Sequence, residues 1–140
     1  MSQLVNFWAI LISMILSVVI GFIWYGPLFG KQWMELAGIK MPEEKPGMSV
    51  MKKPILLSLI GAFFMSFALS FSIAFHDAFY SVSGYMPALA IAFMLWLGFI
   101  VPVYFNFAGW EGKPWKLFCI NVSYWLVFLL LSASVIVAFA

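Results

Sequence analysis

The chain has 140 residues, of which 66% are apolar, 20% aromatic and only 9% charged. A soluble domain carries about 45–50% apolar and about 25% charged residues, so a water-soluble globule is excluded and lipid must be the solvent for most of the chain. A net charge of +2 is too small and too localised for a nucleic-acid partner, and the lone Cys119 allows neither an internal disulfide nor a cysteine metal cluster.

Residues 4–25 are the first apolar stretch, without Asp, Glu, Lys or Arg, and long enough to span a bilayer core that needs about 20 helical residues. The stretch lacks a basic start and runs too long for a signal peptide, so it is expected to stay in the mature chain. Ala9, Ser13, Ser17 and Gly21 recur every fourth residue and so line one helix face, a ladder of small side chains that invites close backbone approach. Pro27 is expected to end this span.

Residues 26–54 form a polar loop with Lys31, Lys40, Lys45, Lys52 and Lys53. Gly26-Pro-Leu-Phe-Gly30-Lys31 resembles a phosphate loop only faintly. It is one residue short and lacks the following Ser or Thr, so an exit turn with an anchoring Lys explains it better. Trp33, Met34 and Leu36 predict a short interfacial helix over 31–37, stopped by Gly38.

The second span is predicted over 55–75, with its own small-residue ladder at Ser58, Ala62, Ser66, Ser70 and Ala74. Consecutive spans are usually neighbours, so the two ladders are expected to pack on each other; a dimer face or a serine-lined path is the functional alternative. His76 and Asp77 open the next turn. Adjacent residues on a helix face different ways, so helix-end capping is preferred over a metal site or proton relay.

The third span, 86–107, begins with Pro87 in its first turn. Pro102 within it frees the Gly98 carbonyl and should bend the helix. Trp96 lies near mid-membrane, where an indole N–H needs a protein partner. A short turn carrying Glu111, Lys113 and Lys116 leads to the fourth span, 117–139. Gly112-Lys113-Pro114-Trp115 echoes Gly30-Lys31-Gln32-Trp33, a weak hint of two related hairpins.

These elements make one four-helix transmembrane domain over 1–140, an all-α membrane protein with the lipid bilayer as its first partner. All seven basic residues fall in the first and third connections, where seven Lys against four Glu leave a balance of +3. The opposite side holds only His76 and Asp77. Cytoplasmic loops keep an excess of Lys and Arg, so both termini are expected to be extracytoplasmic. Trp24, Tyr25, Trp33, Trp110 and Trp115 sit at the lysine-rich boundary and Trp8, Tyr80 and Tyr85 at the other, as two aromatic girdles require.

On the cytoplasmic side, Asn121, Tyr124 and Trp125 share a face by their three- and four-residue spacing. With Trp24, Tyr25, Asn106, Glu111 and Lys113 they form a candidate polar cluster, either a pocket or a set of interhelical hydrogen bonds that locks the bundle. The second reading is the ordinary one. No catalytic set, metal site or cofactor is expected, and Glu111 lies across the membrane from His76 and Asp77, so an enzyme is disfavoured. The absence of charges inside the spans disfavours proton-coupled antiport.

Two signatures carry a resemblance. Trp24-Tyr25-Gly26-Pro27, then Phe29-Gly30-Lys31 and Trp33, resemble the first signature of the small bacterial membrane proteins of domain-of-unknown-function family 1761. Glu111-Gly112-Lys113-Pro114-Trp115-Lys116-Leu117-Phe118, then Ile120-Asn121 and Tyr124, resemble its second. The resemblance implies a multi-pass protein of the bacterial cytoplasmic (inner) membrane and supplies no activity, ligand or site residue. A non-catalytic packing, assembly or accessory role is therefore expected, in a homo-oligomer or with a membrane-protein partner. The alternative is an oligomeric channel or carrier for a small solute or ion.

Overall fold

The computed structural model describes residues 5–40 and 47–140. Leu4, the expected start of the first span, and Glu43, Glu44 and Lys45 of the first connection lie outside the described residues. Every regular element among the described residues is helical, and four helical segments are long and apolar enough to cross a membrane: Phe7–Leu28, Met48–Tyr80, Tyr85–Gly109 and Trp115–Ala138.

The first segment is helix α1 (Phe7–Ile23) followed by a π turn (Trp24–Leu28). Asn6 caps α1, its side-chain oxygen accepting from the N–H groups of Trp8 at 3.0 Å and Ala9 at 3.4 Å, which satisfies donors that a helix start leaves orphaned. Its amide nitrogen donates to the Phe139 carbonyl at 2.9 Å, tying the start of the chain to its last helix. Pro27 lies inside the π turn. Without an N–H it cannot continue the usual ladder, and the chain instead closes a wider ring from Phe29 N–H to the Trp24 carbonyl at 2.9 Å. A short helix, α2 (Gly30–Ala37), follows and stops at Gly38, whose φ of 72° is left-handed, the helix end that glycine favours.

Helix α3 (Met48–Tyr80) has 33 residues, about 50 Å at about 1.5 Å per residue, well beyond a hydrocarbon core of about 30 Å. The helix thus starts before residue 55, where the second span is predicted to begin, and Pro54 lies inside the helix rather than in the loop. The carbonyl that Pro54 leaves without its helix donor is that of Val50, which is exposed, so solvent or headgroups can satisfy it. Helices α4 (Tyr85–Leu95) and α5 (Val101–Gly109) are joined by a second π turn, Trp96–Ile100. Here too a proline, Pro102, sits just beyond the widened turn, which absorbs the missing hydrogen bond to the Gly98 carbonyl. Helix α6 (Trp115–Ala138) closes the bundle.

Helix α6 is the centre. In its most apolar stretch 44% of residues are buried, against 17–28% for the other segments, and it packs on α1 and α4 and also touches α2, α3 and α5. Phe128, Ser132 and Ala133 are its most enclosed residues. α1 packs most extensively on α3. Of the small-residue ladders, Ala9, Ser13, Ser17, Ala62, Ser66 and Ser70 are buried, Gly21 and Ala74 are half-buried, and Ser58 is exposed. Gly21 faces α6 instead of α3, since a Cβ there would lie 3.7 Å from the Tyr124 hydroxyl. Ala88 and Ala92 of α4 are also fully buried, a third pair of small residues on a helix that packs mainly on α6. The two echoed tetrapeptides differ in conformation: Gly30 opens α2, whereas Gly112 is in a turn with φ of 63°.

Four of the buried serines divide into two kinds. Ser13 donates to the Ala9 carbonyl and Ser17 to that of Met14, the back-bonding that lets a hydroxyl sit inside a helix bundle. The hydroxyls of Ser66 on α3 and Ser132 on α6 are buried without a partner.

Candidate functional site

The lysine-rich half of the bundle holds a layer of cross-helix hydrogen bonds built on the two π turns. Each π turn begins with a tryptophan, and both indoles reach α6. Trp24 Nε1 donates to the Ile120 carbonyl at 2.9 Å, and Trp96 Nε1 donates to the Val122 carbonyl at 2.7 Å. These carbonyls are two residues apart, so α6 is gripped from two sides at nearly one level. A buried indole N–H in lipid must find such an acceptor inside the protein.

Tyr25 donates from its hydroxyl to Asn121 Oδ1 at 2.8 Å, and Tyr124 donates to the Ser17 carbonyl at 2.9 Å. Trp125 Nε1 donates to the Tyr104 hydroxyl at 2.9 Å. Aromatic edges pack the spaces between: Tyr25 lies 5.0 Å from Trp33 and 5.4 Å from Tyr124, and Tyr124 lies 4.8 Å from Trp125, ring centre to ring centre. Of the candidate cluster, then, Trp24, Tyr25, Asn121, Tyr124 and Trp125 are brought together. Asn106 is not: it is exposed, and its amide donates to the Pro102 carbonyl of its own helix at 3.4 Å. Tyr104 and Trp96 join the layer although neither was in the cluster read from sequence.

Glu111 and Lys113 are exposed and stand at the edge of this layer. They line a half-open cavity of about 280 Å³ with Tyr104, Phe107, Phe118 and Asn121. No ion pair joins Glu111 to Lys113 among the described residues. Because Asn121 Oδ1 accepts from Tyr25, its amide N–H groups are the donors left for the cavity. Cys119, one turn from Ser123, is exposed and unpaired, and among the described residues no three His, Cys, Asp or Glu side chains gather as metal ligands.

A larger cavity, about 570 Å³, lies at the opposite end of the bundle. The start of α1, the end of α3, the loop after it and the end of α6 converge there. Asn6, Ser70, Asp77, Ser81 and Ser83 supply its polar side chains and Ile73, Ile136 and Phe139 its apolar wall. His76 Nδ1 lies 3.4 Å from Asp77 Oδ1, longer than a well-formed N–H···O bond of about 2.7–3.2 Å. The sequence named this pair, but the convergence of four segments around Asp77 leaves no periodic signal to read.

The indole grips are testable. Trp24→Phe and Trp96→Phe should each lower stability by about 0.6 kcal/mol and at most about 1.7, the range measured for interhelical hydrogen bonds in membranes. Thermal unfolding in nanodiscs checks this, and two variants indistinguishable from wild type would mean that the indoles grip nothing.

The family model described as Protein of unknown function (DUF1761) matches residues 8–137. No curated protein and no solved structure matches the chain.

Proposed function

Since the chain belongs to the DUF1761 family, whose description assigns no function, we propose from the geometry that it is a non-catalytic multi-pass membrane protein acting through assembly. The charge bias supports a cytoplasmic lysine-rich face, with the start of α1 and the end of α6 outside. The bacterial inner membrane is the setting that fits such a chain. The observation that carries the reading is the fate of the polar groups. Trp24, Tyr25, Trp96, Tyr124 and Trp125 all direct their donors to acceptors within the bundle. A reaction centre needs such groups aimed at a reacting atom; here they hold helices to one another. A rigid, chemically quiet bundle with exposed apolar flanks suits a unit that packs laterally, with itself or with another membrane protein.

Extraction with polymer directly from the membrane, without detergent, tests this. The expected result is a particle of fixed stoichiometry, heavier than the 15.8 kDa chain. A lone chain at native expression would sink the proposal.

A second reading, an oligomeric channel or carrier, is favoured by one observation: cavities open at both ends of the same bundle, with unpartnered Ser66 and Ser132 between. It expects solute flux into liposomes that is lost on Asn121→Ala. Wild-type protein that assembles normally yet passes no class of solute would argue against it.

A further inference from the structure

Among the described residues, the larger cavity contains an anion with no lysine or arginine beside it. Asp77 is half-buried, with 29% of its side chain exposed, and its one neighbour of opposite character, His76, makes only the 3.4 Å contact. No lysine or arginine occurs between Pro54 and Gly112, so this end of the bundle has no basic side chain of that kind to offer. A partly desolvated carboxylate favours a partner of opposite charge, and its partner here must come from outside the described fold.

The chemistry of the cavity narrows the choice. Calcium takes about six to eight oxygen ligands, far more than one carboxylate and scattered hydroxyls provide. A primary ammonium group has three N–H donors and no acceptor, which matches the Asp77 carboxylate together with the hydroxyls of Ser81 and Ser83. The carbon attached to it would rest on Ile136 and Phe139. Two buried serines lie below the cavity walls. Ser66 is four residues before Ser70 and Ser132 four before Ile136, both wall residues, so each lies one turn deeper, and both hydroxyls are buried without a partner.

We propose that this cavity is a binding site for a primary ammonium group, with Asp77 as its counter-ion. Trp8, Tyr80 and Tyr85 are exposed around the same end, marking headgroup depth. The group therefore has two natural sources, a small free amine or the headgroup of an aminophospholipid. The proposal stands independently of the assembly reading.

The test uses the full chain in phosphatidylcholine nanodiscs, which contain no primary amine, titrated with n-butylammonium by calorimetry. Saturable binding is expected, weakened at least about tenfold by Asp77→Asn, as loss of a charged hydrogen-bond partner implies. Butyltrimethylammonium, which has no N–H, should also bind about tenfold more weakly to the wild type, a comparison that survives if Asp77→Asn fails to fold. Adding phosphatidylethanolamine distinguishes the sources: competition identifies the lipid headgroup, and unchanged affinity identifies a free amine. Absence of saturable binding together with equal retention of phosphatidylethanolamine by wild type and Asp77→Asn overturns the site. So does a wild type that binds the two butyl ammonium ions equally.

Discussion

Gly30→Ala should destabilise the protein by about 1–3 kcal/mol, the usual cost of forcing an extra carbon into a filled space. A Cβ at residue 30 would lie 2.8 Å from the Tyr25 carbonyl oxygen and 3.2 Å from its carbon. Both are backbone atoms, so no side chain can swing aside, and the π turn itself must open. That turn is already committed: Pro27 has removed one donor and the Phe29 N–H closes on Trp24 instead. Opening it would also shift Tyr25 and weaken its bond to Asn121. Gly26 provides the control. Nothing lies within 4 Å of a Cβ there, so Gly26→Ala should stay within about 0.5 kcal/mol of wild type, as substitutions free of such contacts do. Equal melting temperatures for the two variants would refute the close-approach explanation. The pair also explains why the glycines of Gly26-Pro-Leu-Phe-Gly30-Lys31 are not equivalent, which no phosphate-loop reading would predict.

The four membrane-crossing helices were legible because an uncharged apolar run of about 20 residues has few other fates. Their interruptions were half legible. Pro27 and Pro102 marked the places, but the apolar pattern around Trp24 and Trp96 is the same for a π turn as for a straight helix. The early start of α3 was hidden by Lys52, Lys53 and Pro54, which look like loop composition. At a helix start these residues cost little, since the affected carbonyls face water or headgroups.

The centrality of α6 was not legible at all. Small-residue ladders drew attention to α1 and α3, whereas α6 fills the middle with large side chains, Tyr124 and Phe128 among them. In lipid a central helix and a peripheral one can have the same hydropathy, so burial leaves no trace in composition. Asn121, Tyr124 and Trp125 are three and four residues apart, yet their partners lie on different elements: Tyr25 in the first π turn, Ser17 on α1 and Tyr104 on α5. Spacing shows which residues face together, not what stands opposite them.

Ser66→Leu should cost about 1–3 kcal/mol or more by overpacking, while Ser66→Ala should leave stability unchanged or raise it by about 1 kcal/mol. Ser66 is fully enclosed on α3, the helix on which α1 packs most extensively. Among lipid tails a helix pair gains little from burying apolar surface, so close van der Waals contact across small residues is what holds it. A leucine would separate the helices and forfeit those contacts over several turns. The hydroxyl, by contrast, has no partner; removing it breaks no hydrogen bond and removes a buried polar atom that is costly to leave unsatisfied. Thermal unfolding and particle mass in nanodiscs measure both variants, and a Ser66→Leu protein that melts and assembles like wild type would remove the packing argument. Ser66→Ala serves a second purpose. If the bundle works only through assembly, the alanine variant is silent in every assay. If solute passes between the two cavities, the same variant keeps its stability and loses flux, because the hydroxyl's use would then be to the solute and not to the fold.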